Sequence, residues 1–156
     1  MILARLRARV GYGVARKLMA WRWAVGQPRL WRWMEGQFAR MANLGDVGAL
    51  SFYGHMLLFR GRGFGAREEG IRLLRRAAEA GDAKAAYQMG AVSLSEDASH
   101  GPDASGAAHW WEMAAKAGHP LAATRLAQLY RAGGHGLAAD SERAKHYEAQ
   151  AARLGL

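Results

Sequence analysis

Large apolar residues recur three and four positions apart near the start of the chain: Leu3, Leu6, Val10, Val14, Leu18, Trp21 and Val25. At 3.6 residues per turn this spacing draws one stripe along a helix, so the pattern predicts a helix over residues 2–25. Gly11 and Gly13 weaken its middle by roughly 1 kcal/mol each relative to alanine, which makes a bend there the expectation. Two readings of the stripe compete. It can pack on the next helix as the cap of a stacked array. Alternatively, with Arg5, Arg9, Arg16, Arg22 and Trp23 around it, the helix can lie on an acidic membrane surface. Gly26-Gln27-Pro28 closes this segment, because proline lacks the backbone donor and disfavours helix in the residue before it. Residues 29–43 then resume helix, with Leu30, Trp33 or Met34, Phe38 and Met41 inward.

From Gly45 onward one pattern repeats. Gly45, Gly81, Gly118 and Gly155 lie 36, 37 and 37 residues apart, a period that marks a stacked-repeat architecture. A helix follows each of the first three glycines, roughly over 46–59, 83–94 and 120–132. Small residues sit four and nine places after the glycine, as Ala49 and Gly54, Ala85 and Gly90, Ala122 and Ala127. A large residue (Tyr53, Met89 or Leu126) stands between them. Small positions let two helix backbones approach while the large one fills the gap beside them. The second helix of a period starts near Asp103 or Asp140, whose carboxylates can cap free amides. Four residues on comes Ala107 or Ala144, then an aromatic, Trp110 or Tyr147. The equivalent places in the first period hold Ala66, Gly70 and Leu73, without an acidic cap. Each repeated glycine is expected in the left-handed conformation that ends a helix.

These residues resemble the Sel-one-like repeat, a longer-loop relative of the tetratricopeptide repeat. The likeness is carried by Gly134-His135-Gly136-Leu137, by Asp140-Ser141-Glu142-Arg143-Ala144 with Tyr147, and by Ala151-Ala152-Arg153-Leu154-Gly155. Residues 103–127 match similarly. The resemblance covers about residues 38–155, while the loop over 95–101 departs from it and Ser93 replaces the aromatic found as Tyr130. It implies an all-α fold: a short right-handed solenoid of antiparallel hairpins, about eight helices. The expected organisation is a basic Trp/Arg-rich helical cap over 1–37 and a solenoid of about three repeats over 38–156.

Charge changes the picture at one end. The 156-residue chain carries a formal net charge of +9, and residues 1–40 hold nine Arg or Lys against Glu35 alone. The remainder is nearly neutral, so an anionic contact is expected of the first 40 residues only. The chain has no cysteine, which excludes a disulfide framework and thiolate metal sites. Arginines interrupt every candidate apolar core of a leader, and no stretch reaches the roughly 18 apolar residues of a membrane span. The expected location is cytoplasmic, at most peripheral to the inner face of a membrane.

Catalysis finds little support. The six histidines form no His-Glu-x-x-His pair, and His100, His119 and His135 fall at loops or helix starts, where solvated polar residues belong. Glu68-Glu69 and Glu96-Asp97 are adjacent and so diverge, which makes poor acid-base pairs. Gly61-x-Gly63-x-Gly65 follows a helix and lacks the Lys-Ser/Thr of a phosphate loop. No enzyme activity, metal or cofactor is expected. Trp21-Arg22-Trp23 and Trp31-Arg32-Trp33 mix stacking and basic residues as nucleic-acid binders do. Yet two tryptophans two apart on a helix face different ways, so one of each pair is expected in the core.

The expected function is a non-catalytic adaptor that docks a partner protein or peptide on the concave face of its repeats. Counting from each glycine places Ser51, His55, Tyr87, Thr124, Gln128 and Arg131 on that face, joined by Lys84; Leu58 and Leu94 occupy equivalent places but can equally complete the core. A peripheral membrane adaptor using the first helix is the alternative, and a nucleic-acid binder the third. A homodimer through the aromatic clusters is a further arrangement the residues allow.

Overall fold

The computed structural model describes residues 2–61, 63–95 and 101–155. Within them the chain forms nine helices and no strand, apart from an isolated bridge between Gly134 and Leu137. The helices are α1 (Ile2–Leu18), α2 (Arg22–Gly26), α3 (Pro28–Asn43), α4 (Val47–Arg60) and α5 (Ala66–Glu79), then α6 (Ala83–Ser93), α7 (Ala104–Lys116), α8 (Ala122–Ala132) and α9 (Ser141–Arg153). Glu96-Asp97 and His100 lie outside the described residues, as does Arg62. Eight helices were expected; the ninth arises because the first segment breaks before its predicted end. Gly11 and Gly13 stay helical, and the chain instead turns extended at Trp21, with φ −97° and ψ 110°. Pro28 then occupies the first position of α3, where its missing donor costs nothing.

The repeated glycines close the helices as their spacing predicts. Gly45, Gly81, Gly118 and Gly155 have φ of 81°, 94°, 85° and 79°, the left-handed region that a side chain resists. Behind Gly81 the Asp82 amide donates to the Ala77 carbonyl at 3.0 Å, and behind Gly118 the His119 amide donates to Ala114 at 2.8 Å. Asp103 and Asp140 cap α7 and α9, and Asp46 and Asp82 do the same for α4 and α6. Each such cap is worth about 1 kcal/mol. Helix α5 starts instead at Gly65 with no side-chain cap, and Glu68 and Glu69 in its first turn face the positive end of the helix dipole.

Consecutive helices pack as hairpins, α4 on α5, α6 on α7 and α8 on α9, with α1 on α3 at the leading end. In the first hairpin two glycines face each other. A Cβ on Gly54 would lie 2.8 Å from Leu74 Cγ and 3.1 Å from the Gly70 carbonyl, and one on Gly70 would meet the Leu58 amide at 2.8 Å. Gly90 holds the matching place in the second hairpin, where the Trp111 indole fills the space. One apolar cluster runs from Leu50 and Leu57 through Leu73 and Leu74 to Met89. A second joins Trp111, Leu126, Leu129 and Tyr130.

Helix α1 packs on α3, but not by the first half of its predicted stripe. Ala8 and Ala15 are its buried residues, with Tyr12 set edge-on to Phe38 at 5.9 Å. The first four members of the predicted stripe point the other way: Leu3 is 76% exposed, Leu6 57%, Val10 60% and Val14 45%, whereas Leu18 is half-buried and packs on the cluster around Phe38. The alanine seam lets α1 approach α3 closely, and the bulky residues of that first half are left outside. Arg16 does not join an outward basic set, since its guanidinium sits 5.5 Å over the Phe52 ring. Trp21 and Trp23 are both exposed, so the expected core–rim split fails there: Trp21 lies at the break, and α2 buries Ala24 in place of Trp23. Met34, Phe38 and Met41 are buried as α3 requires, and Trp33 is the outward alternative.

Candidate partner-binding face

The residues predicted to face a partner divide into three groups. Ser51 is buried, and its hydroxyl donates to Asp82 Oδ1 at 2.9 Å. It therefore joins α4 to α6 instead of meeting a partner. The reason is its position one turn into α4, level with the start of the next first helix. His55 is half-buried on the same helix, where its Nδ1 donates to the Ser51 carbonyl at 2.7 Å and its ring stacks on Phe59. Lys84, Gln128 and Arg131 are exposed on α6 and α8, and Arg131 pairs with Glu148.

Tyr87 organises the third group. Its ring lies 4.1 Å from that of His119, only 9° from parallel. Its hydroxyl accepts from Arg125 Nε at 3.2 Å, and its carbonyl accepts from Trp111 Nε1 at 3.0 Å. Three elements, α7, α8 and the turn before α8, thus converge on one tyrosine of α6. Arg125 also reaches Gln128 Oε1 at 3.5 Å. Thr124 is half-buried, and neither its Oγ1 nor His119 Nδ1 has a hydrogen-bond partner among the described residues.

The sequence reading missed His119 and Arg125. His119 reads as a solvated loop residue, yet it is half-buried against Tyr87. The signal lies in the repeat itself. Asp46 and Asp82 directly follow their glycines and cap the next helix, whereas His119 directly follows Gly118 and α8 starts without a side-chain cap. Freed from capping, the imidazole turns onto the neighbouring repeat. Burial, with the nearby Lys84 ammonium second, pulls its pKa below the usual histidine value.

A separate polar knot fastens the last hairpin. Tyr130 donates to Glu112 Oε1 at 2.8 Å and accepts from Arg143 at 2.8 Å, with Tyr147 stacked on its ring. Burial and Glu112 push the Tyr147 hydroxyl up to about 12, so it stays protonated at any physiological pH. The hydroxyl of Ser93, the counterpart of Tyr130, donates back to the Met89 carbonyl of its own helix. No group of three or more His, Asp or Glu among the described residues is placed to hold a metal ion.

No family model and no curated protein matches the sequence. Solved structures do. One is a protective antigen present in uropathogenic Escherichia coli strains that displays an SLR fold, 23% identical with a TM-score of 0.66. Another is a Sel1 repeat protein from Oxalobacter formigenes, 26% identical with a TM-score of 0.69. Each match covers 79% of this chain, but only 26% of the first protein and 50% of the second. This chain thus spans about a quarter and a half of their lengths. With the glycine-closed hairpins described above, these likenesses establish that the chain has a Sel1-like repeat fold.

Proposed function

We propose that the chain is a non-catalytic adaptor that docks a segment of a partner protein on the face formed by α4, α6 and α8. The observation that carries this reading is the Tyr87–His119 ring pair, fixed by Trp111 and Arg125 and still partly open to solvent. Solenoids of stacked helix pairs build extended concave binding surfaces from repeated helices. A ring held on several sides loses little entropy when a partner covers it, which is what a binding anchor requires. Lys84 and Arg125 beside the rings favour a segment carrying a carboxylate, with His55, Gln128 and Arg131 at its margins. Residues 38–156 supply this surface, and residues 1–37 close the array beside the first repeat.

The test is selection of peptides from a random display library, followed by amide chemical-shift mapping of the best binder. The expected footprint centres on Tyr87, His119 and Arg125, and Tyr87→Ala weakens binding at least about tenfold without loss of helical signal. A footprint elsewhere, or binders indifferent to Tyr87→Ala, would sink the reading.

A further inference from the structure

We propose that α1 lies on an anionic lipid surface through the stripe it turns away from the solenoid. This goes beyond partner docking and rests on separate residues. At roughly 100° per residue, Leu3, Leu6, Val10 and Val14 fall within an arc of about 80°, on the side of the helix away from Ala8 and Ala15. All four are exposed, while the alanines are buried against the rest of the fold. Arg7 borders one edge of the arc, Arg9 lies about 60° beyond the other, and Lys17 continues its line; all three are exposed. Just beyond the helix, Trp21 and Trp23 are exposed as well, residues of the type that settles at the boundary of headgroups and acyl chains.

Charge selects the occupant. Residues 1–40 carry nine cations against one carboxylate, so two copies meeting by this face would set like charge against like. A nucleic acid would gain phosphate contacts and stacking on Trp21 and Trp23, but it offers nothing apolar to seat a stripe of two leucines and two valines. An acidic bilayer answers both features at once, because the aliphatic stripe enters the acyl boundary while the flanking arginines remain among the headgroups. No described helix is long and apolar enough to cross a membrane, so α1 lies on the surface. It reaches that surface already folded, since Ala8, Gly11 and Ala15 fasten it to α3 through Gln37 and Phe38.

Co-sedimentation of the full chain with vesicles tests this. Vesicles of phosphatidylcholine with about 30% phosphatidylglycerol should pellet the protein, pure phosphatidylcholine should not, and added salt should release it. Leu6→Glu with Val10→Glu should lower partitioning at least about tenfold, since each side chain contributes on that scale. Its circular dichroism and melting should stay those of the parent, because both positions are exposed. Arg7→Gln with Arg9→Gln should lower partitioning up to about 25-fold, at about fivefold per charge. Absence of pelleting, equal pelleting on neutral vesicles, or pelleting unchanged by the glutamate pair would overturn the proposal. So would a dimer in light scattering that the glutamate pair converts to a monomer, which would give the stripe to a second copy.

Discussion

Helices α1 and α8 are both amphipathic, and they bury opposite sorts of residue. Helix α8 sends Leu126, Leu129 and Tyr130 inward along with Ala122, Ala123 and Ala127. Helix α1 sends Ala8 and Ala15 inward and leaves two leucines and two valines in solvent. The difference follows from their surroundings. Helix α8 is wedged between α7 and α9, where large side chains are needed beside the small ones to fill the volume, whereas α1 packs chiefly on α3. A one-sided contact is closed most tightly by a seam of small residues. Amphipathicity says that a helix has two faces; the neighbours decide which of them is covered.

The largest test of that contrast is truncation of matched leucines. Leu126→Ala should cost about 3 kcal/mol, as a fully buried leucine leaves a cavity. Leu6→Ala should stay within about 0.5 kcal/mol, as exposed positions do. Urea denaturation of the two variants measures both, and comparable losses would mean that α1 is packed by its stripe after all.

A finer version uses glycines. A Cβ on Gly90 would stand 2.3 Å from Trp111 Nε1 and 2.4 Å from its Cδ1, and the indole is held by its bond to Tyr87. Gly90→Ala should therefore cost about 2 kcal/mol. A Cβ on Gly11 would meet only the amide end of Gln37, at 2.3 Å from Oε1. That end can swing away, and alanine returns about 1 kcal/mol of helix propensity, so Gly11→Ala should be close to neutral. Thermal melts of both variants decide whether the repeat joint is the less forgiving contact.

The smallest effect concerns acid. The folded chain holds the His119 pKa below its ordinary 6.5, so the unfolded chain takes up the proton first. The stabilisation from neutral His119 is complete above about pH 6.5, declines as pH falls through that value, and levels off below the folded pKa. His119→Asn should flatten this part of the stability–pH curve, measured as melting temperature between about pH 7.5 and about pH 5. An unchanged slope would remove His119 from the joint between α6 and α8.

The repeat was legible because its punctuation is local. A glycine at φ near 80° and an aspartate after it leave their mark within a few residues of chain, so the hairpin limits could be read to within a residue or two. The outward stripe of α1 was legible only as one of two readings, because the seam that decides between them was not seen: Ala8, Gly11 and Ala15 are as regular as the leucines, but small residues carry little weight in a hydrophobic pattern. Tyr87 could be picked by counting from Gly81. Its companions could not, since the Arg125 contact spans 38 residues and depends on His119 having lost the capping role of Asp46 and Asp82.

One oxygen has a mechanical consequence. Asp82 Oδ1 accepts both the Ala85 amide that closes the first turn of α6 and the Ser51 hydroxyl of α4. Flexing the stack at this junction and unwinding the tip of a helix are thereby made a single movement. A twist imposed on the first repeat reaches the second as a pull on its opening turn, not as slack in the intervening segment.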